Sequence, residues 1–437
     1  MTSNVKTNKL LLFSLVLFIL LSASSVKAQY MWNNDSAFKA GAPNSGRIWG
    51  YAFGDYAYKA HSDALNRGGS NQYTGIPQSR TEFAFRRIYL GYDYNISKKF
   101  SAELLLAAED NFPAGSPPSS AAPSGDELLN NKLSFYIKLM NIRWKGIWKG
   151  TDLVVGQIST PSFPLISEKL WNYRSIERTI ADIRRTPSYD MGVALQGVFD
   201  PATKNFGYDV MMANGSSAKP EGDNFKWFYG DVFAYFANKK IVVDLYADYE
   251  RLNWTSTWHH SRQMMKGYIA YNSAATAKGT DPGNGFTVGV EYFVNNLKKD
   301  NFATKISGGA DTLNVAANGL SIYVHGDLVK SKLRFFARVD AYNPMNKIDN
   351  AKYSKYAANT GNYNDNSYSA GTTTTGDQTY KQVFVTAGLD FTPAKGVHFM
   401  PNIWYNSFKS QLGGLTGTAE KDHDLVYRLT MFYIFGK

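Results

Sequence analysis

The sequence predicts an all-β fold: a transmembrane antiparallel up-and-down β-barrel of about sixteen strands, with one inward-folded loop carrying a short helix. Three observations lead there. The chain opens on an export signal, its strand-like segments have one continuous apolar face opposite a mixed ionic one, and its connections alternate between short and long.

Residues 1–28 read as a secretory signal. Lys6 and Lys9 precede the apolar run Leu10 to Leu21, and small residues Val26 and Ala28 place cleavage after Ala28. The run falls well short of the ~20 residues a spanning helix needs, and no later run approaches that length, which argues against a helical membrane protein. The boundaries expected are a signal at 1–28, a short periplasmic segment at 29–45 and a barrel at 46–437. Aromatic residues make up 15% of the chain, Gly numbers 37 and Cys 0, while mean hydropathy is negative. An outer-membrane barrel has this composition, because aromatics ring both interfaces and the lumen stays polar. A closed hydrogen-bonded sheet needs no disulfides, and without Cys there is neither a thiol nucleophile nor a thiolate zinc site. The formal charge of +11 falls to +8 once Lys6, Lys9 and Lys27 are removed, a surplus that does not point to nucleic acid.

The alternation is cleanest from Leu333 to Tyr342. Leu333, Phe335, Ala337, Val339 and Ala341 share one face; Arg334, Phe336, Arg338, Asp340 and Tyr342 share the other. Similar segments begin near residues 47, 81, 100, 133, 151, 188, 206, 225, 241, 264, 285, 319, 333, 380, 397 and 424. A soluble sandwich would carry its charges on a separate outer face, whereas here the apolar face is the unbroken one. Short turns at 97–99, 238–240, 329–332 and 392–396 alternate with long connections at 59–80, 110–132, 160–187, 215–224, 297–318, 344–379 and 409–423, as periplasmic turns alternate with extracellular loops. The segment 272–284 is the exception, a long connection where a short turn belongs.

Facing then assigns the lumen. Arg334, Arg338, Arg428, Arg87 and Lys138 fall on its polar side as a basic arc; Asp190, Asp209, Asp231, Asp244, Asp248, Glu250 and Glu291 form an acidic one. The two arcs either set up a transverse field across the pore or pair locally and keep the channel wet. The constriction is expected in 160–187, where a short amphipathic helix would lay Tyr173, Ile176, Ile180 and Ile183 on the wall. Its charges are Arg174, Glu177, Arg178, Asp182, Arg184 and Arg185, with Arg174–Glu177 at i,i+3 and Arg178–Asp182 at i,i+4. Guanidinium groups suit phosphate or carboxylate.

At this stretch the chain resembles a family. Val154 to Gln157 (VVGQ), Pro161, Arg174 to Arg178 (RSIER), Arg185, Asp190 to Val193 (DMGV), Gly197, Gly207-Tyr208 and Asn214-Gly215 follow the order of the phosphate-selective porins (porins O and P) in the form common in Bacteroidetes. The resemblance implies a sixteen-stranded, trimeric outer-membrane channel with an inward loop, and phosphate passage along a ladder of arginines. No continuous ladder can be threaded here, and the last residue is Lys437, with Phe435 as the terminal aromatic.

Other chemistry is sparse. His259-His260 and Asp365-Asn366, the latter in a loop that also holds Thr372 to Thr375, read as solvated loop residues rather than metal ligands. His325, Asp327 and His398 face inward with no nucleophile at hand. The sequence therefore points to a porin passing small hydrophilic solutes, anionic phosphate-like ones among them, embedded in outer-membrane lipid, with no cofactor and no bond chemistry. The alternatives are a structural or adhesive barrel closed by its loops and, more remotely, a barrel hydrolase.

Overall fold

A computed structural model describes residues 42–65, 67, 73, 76–109, 128–129, 132–184, 187–254, 259–358 and 379–436. The expected signal, nearly all of 29–45, Asp365-Asn366 and Thr372 to Thr375 lie outside the described residues.

Sixteen antiparallel strands close into one barrel. In chain order they are β1 (Ser45–His61), β2 (Thr81–Asn95), β3 (Phe100–Glu109), β4 (Tyr136–Trp148), β5 (Thr151–Ser159), β6 (Tyr189–Val198), β7 (Phe206–Ala213) and β8 (Trp227–Phe236). They continue with β9 (Ile241–Trp254), β10 (His259–Asn272), β11 (Phe286–Lys305), β12 (Ala310–Val329), β13 (Leu333–Asn343), β14 (Lys381–Ala394), β15 (Val397–Lys409) and β16 (Lys421–Phe435). Each pairs with its neighbours in sequence, and β16 returns to β1 with Gly50 opposite Phe435 and Tyr58 opposite Tyr427. Closure leaves no backbone edge, which hydrocarbon demands. Among the described residues no helix is long and apolar enough to cross a membrane.

Alternation sorts the side chains as expected. Val339, Val383, Leu389, Leu245, Tyr427 and Tyr433 are exposed on the outside, while Arg338, Phe384, Asp390, Asp244, Val426 and Arg428 are buried on the inside. Glycine lets rings lie flat on neighbouring strands: a Cβ at Gly91 would sit 2.3 Å from the Trp49 ring and one at Gly289 2.3 Å from the Tyr323 ring.

Two expectations change, and one irregularity finds its reason. The connection expected at 297–318 is mostly strand, because β11 and β12 run 20 residues each to a turn at Gly308 and Gly309, and Tyr353–Ala358 pairs with the outer part of β11. Past the membrane both faces of a hairpin meet water, so the backbone stays paired although the apolar period disappears. For the same reason β10 begins at His259, which is strand rather than loop. The irregular 272–284 connection is a built turn: Asn272 Nδ2 donates to Asp281 O (3.0 Å), Gly285 N to Asp327 Oδ2 (2.7 Å), and the Arg334 guanidinium to Gly283 O (2.6 Å) and Pro282 O (3.1 Å). The strand count therefore needs no adjustment.

Val339 sits mid-strand on the outward face. Val339→Arg is expected to destabilise the barrel by about 2–4 kcal/mol, the cost of a cation at the bilayer midplane, in urea unfolding from phospholipid vesicles.

Candidate functional site

Between β5 and β6 the chain enters the barrel. The expected single helix is two short ones, α1 (Ser167–Trp171) and α2 (Ile180–Arg184), broken where Asn172 turns left-handed at φ 57°. The wall takes the carbonyls that a continuous helix would use. Leu170 O accepts from His325 Nε2 (2.9 Å), Arg178 O from Arg338 Nη1 (2.6 Å), and Ser175 O from Arg428 Nη2 and from Arg86 Nη1 (3.4 Å), while within the loop Ile176 O accepts from Trp171 Nε1 (2.6 Å). A carbonyl satisfied from the side gains little from a helical partner.

Apolar packing holds the same segment. Trp171 meets Tyr323 with ring centroids 5.2 Å apart, Tyr173 meets Phe336 at 4.6 Å, and Leu170, Ile176 and Ile180 are buried. Burial of each such side chain contributes roughly 1.5–3 kcal/mol. The loop thus lies along the wall formed by β11 to β13, β16, β1 and β2.

Its ionic fastening depends on a residue that alternation misses. Between Phe53 and Gly54 of β1 the register of β2 jumps from Arg87 to Phe85, so Arg86 occupies a bulge. Both arginines then turn inward. Arg86 Nη2 donates to Glu177 Oε2 (2.6 Å) and Nη1 to Asp55 Oδ2 (3.0 Å), and Arg87 Nη2 lies 3.0 Å from Glu177 Oε1. Burial alone would raise the Glu177 carboxyl; the two guanidiniums outweigh it and hold the group down at about 2. Asp55 also accepts from Tyr73 Oη (2.7 Å) and Thr430 Oγ1, with Arg428 Nη1 at 3.5 Å. Adjacent arginines in a lipid-facing strand were the available signal, since strict alternation would send one into hydrocarbon.

The remaining residues of the two expected arcs bond locally. Arg334 pairs with Asp327 and donates to Tyr173 Oη (3.0 Å); Arg338 pairs with Asp340 (2.6 Å); Lys138 pairs with Glu109, which Arg87 also approaches at 3.5 Å. Every member of the basic arc therefore has a carboxylate partner, and the arc is a set of local pairs that grip the loop rather than an open cationic wall. On the other side, Lys266 interrupts the acids, 2.9 Å from Asp244 and 3.9 Å from Glu291. Asp190 accepts from Gly215 N (2.7 Å), Ser217 N (3.2 Å) and Tyr229 Oη (2.8 Å). Asp248 accepts from Met264 N, Asp231 from Asp209 N and Glu291 from Ala181 N, while Glu250 is buried opposite Arg262.

In the loop, Arg178 and Asp182 form their i,i+4 pair (3.2 Å). Arg174 and Glu177 fall in the break, with Arg174 near Glu168 (3.6 Å). Arg185 and the side chain of Arg184 lie outside the described residues. His325 has both ring nitrogens engaged, Nε2 on Leu170 O and Nδ1 facing Arg334 Nη2 (3.2 Å), so it positions the loop. His398 Nδ1 rests 3.0 Å from Asp390.

A cavity of about 270 Å³ remains between the loop and β1 to β6, and its lining includes the fastening pair Arg87–Glu177. Its charged lining comprises Arg87, Lys138, Arg143, Lys169 and Arg174 against Glu103, Glu168, Glu177 and Asp182, with Tyr51, Tyr89 and Tyr189 among them.

No family model matches the chain, and no curated protein matches it; the order of residues shared with the phosphate-selective porins is thus a resemblance only. Solved structures do share the architecture. The outer membrane channel DcaP of Acinetobacter baumannii is 11% identical, with 93% of this chain and 100% of that one covered at a TM-score of 0.55. OprB of Pseudomonas putida is 11% identical over 95% and 100% at 0.55, and an anion-selective porin from Comamonas acidovorans is 11% identical over 90% and 100% at 0.51. At this identity the likeness is one of fold.

Glu177→Ala removes the carboxylate that buried Arg86 and Arg87 share, leaving them Asp55 and Glu109, and is expected to cost about 3–5 kcal/mol, with faster amide exchange across 172–184 by mass spectrometry. Asp182→Ala, which removes a half-exposed pair, is expected to cost under about 1 kcal/mol and leave exchange in 172–179 unchanged.

Proposed function

We propose that the chain is an outer-membrane porin that lets small hydrophilic solutes diffuse past the loop 160–187, exported by its signal at 1–28 and working without cofactor or bond chemistry. The observation that carries this reading is the space left beside the loop. Buried ion pairs and aromatic packing hold the loop to the wall, yet a cavity lined by ionic and phenolic side chains stays open between it and β1 to β6. A plug would need apolar or mutually bonded contacts all round; a diffusion path needs a wet polar side.

Two finer features extend the proposal. The cavity lining has five basic groups against four acidic ones, a small excess that favours anions weakly. The resemblance to phosphate-selective porins points the same way, and one structural neighbour is an anion-selective porin. The second feature, a homotrimer, is proposed on that same resemblance.

Purified protein in planar bilayers is expected to open in discrete conductance steps, with a reversal potential in a KCl gradient displaced modestly toward chloride. Replacing Lys138 and Arg143 by Glu should reverse that displacement. Added phosphate should reduce the chloride current where an anion site exists, and an unchanged current would indicate a general pore. Absence of any steps would favour a structural or adhesive barrel closed by its loops.

A further inference from the structure

Far from the cavity, on the rim that carries the long loops, the two end strands of the barrel meet in a cluster with no part in holding the inward loop. His61 ends β1; Asp422 and His423 open β16. Among the described residues they form a group in which one ligand atom from each lies within 4.8 Å of the others. A single carboxylate oxygen, Asp422 Oδ1, stands 3.8 Å from His61 Nε2 and 3.7 Å from His423 Nδ1. In a tetrahedral site with bonds of about 2.1 Å, ligand atoms are about 3.4 Å apart, so the two carboxylate–imidazole spacings need to close by a few tenths of an ångström and the imidazole pair, within 4.8 Å, by up to about 1.4 Å.

The surroundings already provide what a metal site requires of its supports. Asp422 is buried and oriented by two backbone amides, Ala64 N to Oδ2 (2.8 Å) and His423 N to Oδ1 (2.8 Å), leaving lone pairs directed at the rings. His61 Nδ1 donates to His423 O at 2.7 Å, so its proton sits on Nδ1 and Nε2 carries the free lone pair. A ring nitrogen bonded to a carbonyl while the other faces the ion is the usual arrangement of a metal-bound histidine. The neighbouring cation, Lys59, is taken up by Asp424 (2.9 Å), so it does not repel an entering ion. Both histidine side chains are about one-third exposed, 35% and 33%.

The rings are stacked, centroids 4.0 Å apart and 6° from parallel. Stacked rings set their nitrogens side by side rather than on one point. Convergence on one ion requires the His423 ring to turn about its soft Cβ–Cγ torsion, since His61 is held by its bond to His423 O. The ligand set, two imidazoles and one carboxylate, suits zinc and neighbouring late first-row divalent ions, with water completing the coordination.

We propose that His61, Asp422 and His423 form a zinc-class divalent metal site that clips β1 to β16 at the open end of the barrel seam. The location gives the clip its effect. The pairing of β1 with β16 shifts register between Lys59 and His61, so the regular ladder is interrupted there, and a bridge across it joins residues about 360 positions apart. The proposal does not depend on what crosses the barrel.

Full-length protein in detergent, stripped with chelator, is expected to bind about one zinc per chain in isothermal titration. Zinc should raise its unfolding temperature and slow amide exchange at 59–63 and 421–425. His61→Ala and His423→Ala should each weaken binding at least tenfold and abolish the shift, while a variant lacking His259 and His260 keeps both. Far-UV circular dichroism reports whether each variant still forms the barrel, and His61→Gln serves if His61→Ala does not. Absence of saturable binding by the wild type, equal binding by a variant lacking His61 and His423, or loss with His259 and His260 would overturn the site. Binding without slower exchange at the seam would overturn the clip.

Discussion

Closing sixteen strands requires the last to find the first, and at the seam between β1 and β16 a buried polar cluster joins them. Asp55 on β1 gathers Arg86 from β2, Arg428 and Thr430 from β16, and the Tyr73 hydroxyl from the adjoining loop, all within one buried cluster. The cluster turns a backbone ladder into a specific closure. In lipid an unpaired edge is untenable, yet backbone pairing alone does not choose a register; side chains that are satisfied in only one alignment do. The same arginines then reach Ser175 O, so residues that close the wall also hold the loop.

That coupling explains how so many charges tolerate burial. A guanidinium removed from water costs several kcal/mol unless carboxylates and carbonyls replace its hydration. Arg86 has Asp55, Glu177 and Ser175 O; Arg334 has Asp327, Tyr173 and three carbonyls of the turn at 282–285. Each supplies several donors in a fixed planar fork, which Lys cannot match. Charges that alternation places on the lumen face serve here mainly as fasteners. The ions left facing the cavity are fewer and nearly balanced in sign.

Much of the barrel was legible because a membrane strand has one repeating constraint. The strands beginning near 81, 100, 151, 206, 241, 333 and 397 start at those residues, since each is bounded by a turn and crosses hydrocarbon throughout. β12 starts nine residues earlier than its apolar pattern, because its outer half is in water and the pattern stops where the lipid stops. Arg86 was hidden by the rule that found its neighbours: period two allows one of two adjacent arginines inside, and only the bulge against Phe53 admits both. In the loop, the spacing of Tyr173, Ile176, Ile180 and Ile183 was a true sign of a common buried side but a false sign of one helix.

The sequence by itself determined the class of fold, the approximate strand starts, which face of each strand is apolar, and the position of the inward segment. All of these follow from local periodicity and turn chemistry. Tertiary structure alone decided which cations pair, that the loop breaks at Asn172, that its carbonyls are bonded from the wall, and that His61 meets His423 across the whole length of the chain. Those outcomes depend on strands brought together by closure, and separations of hundreds of residues leave no trace in a pattern read two or four positions at a time.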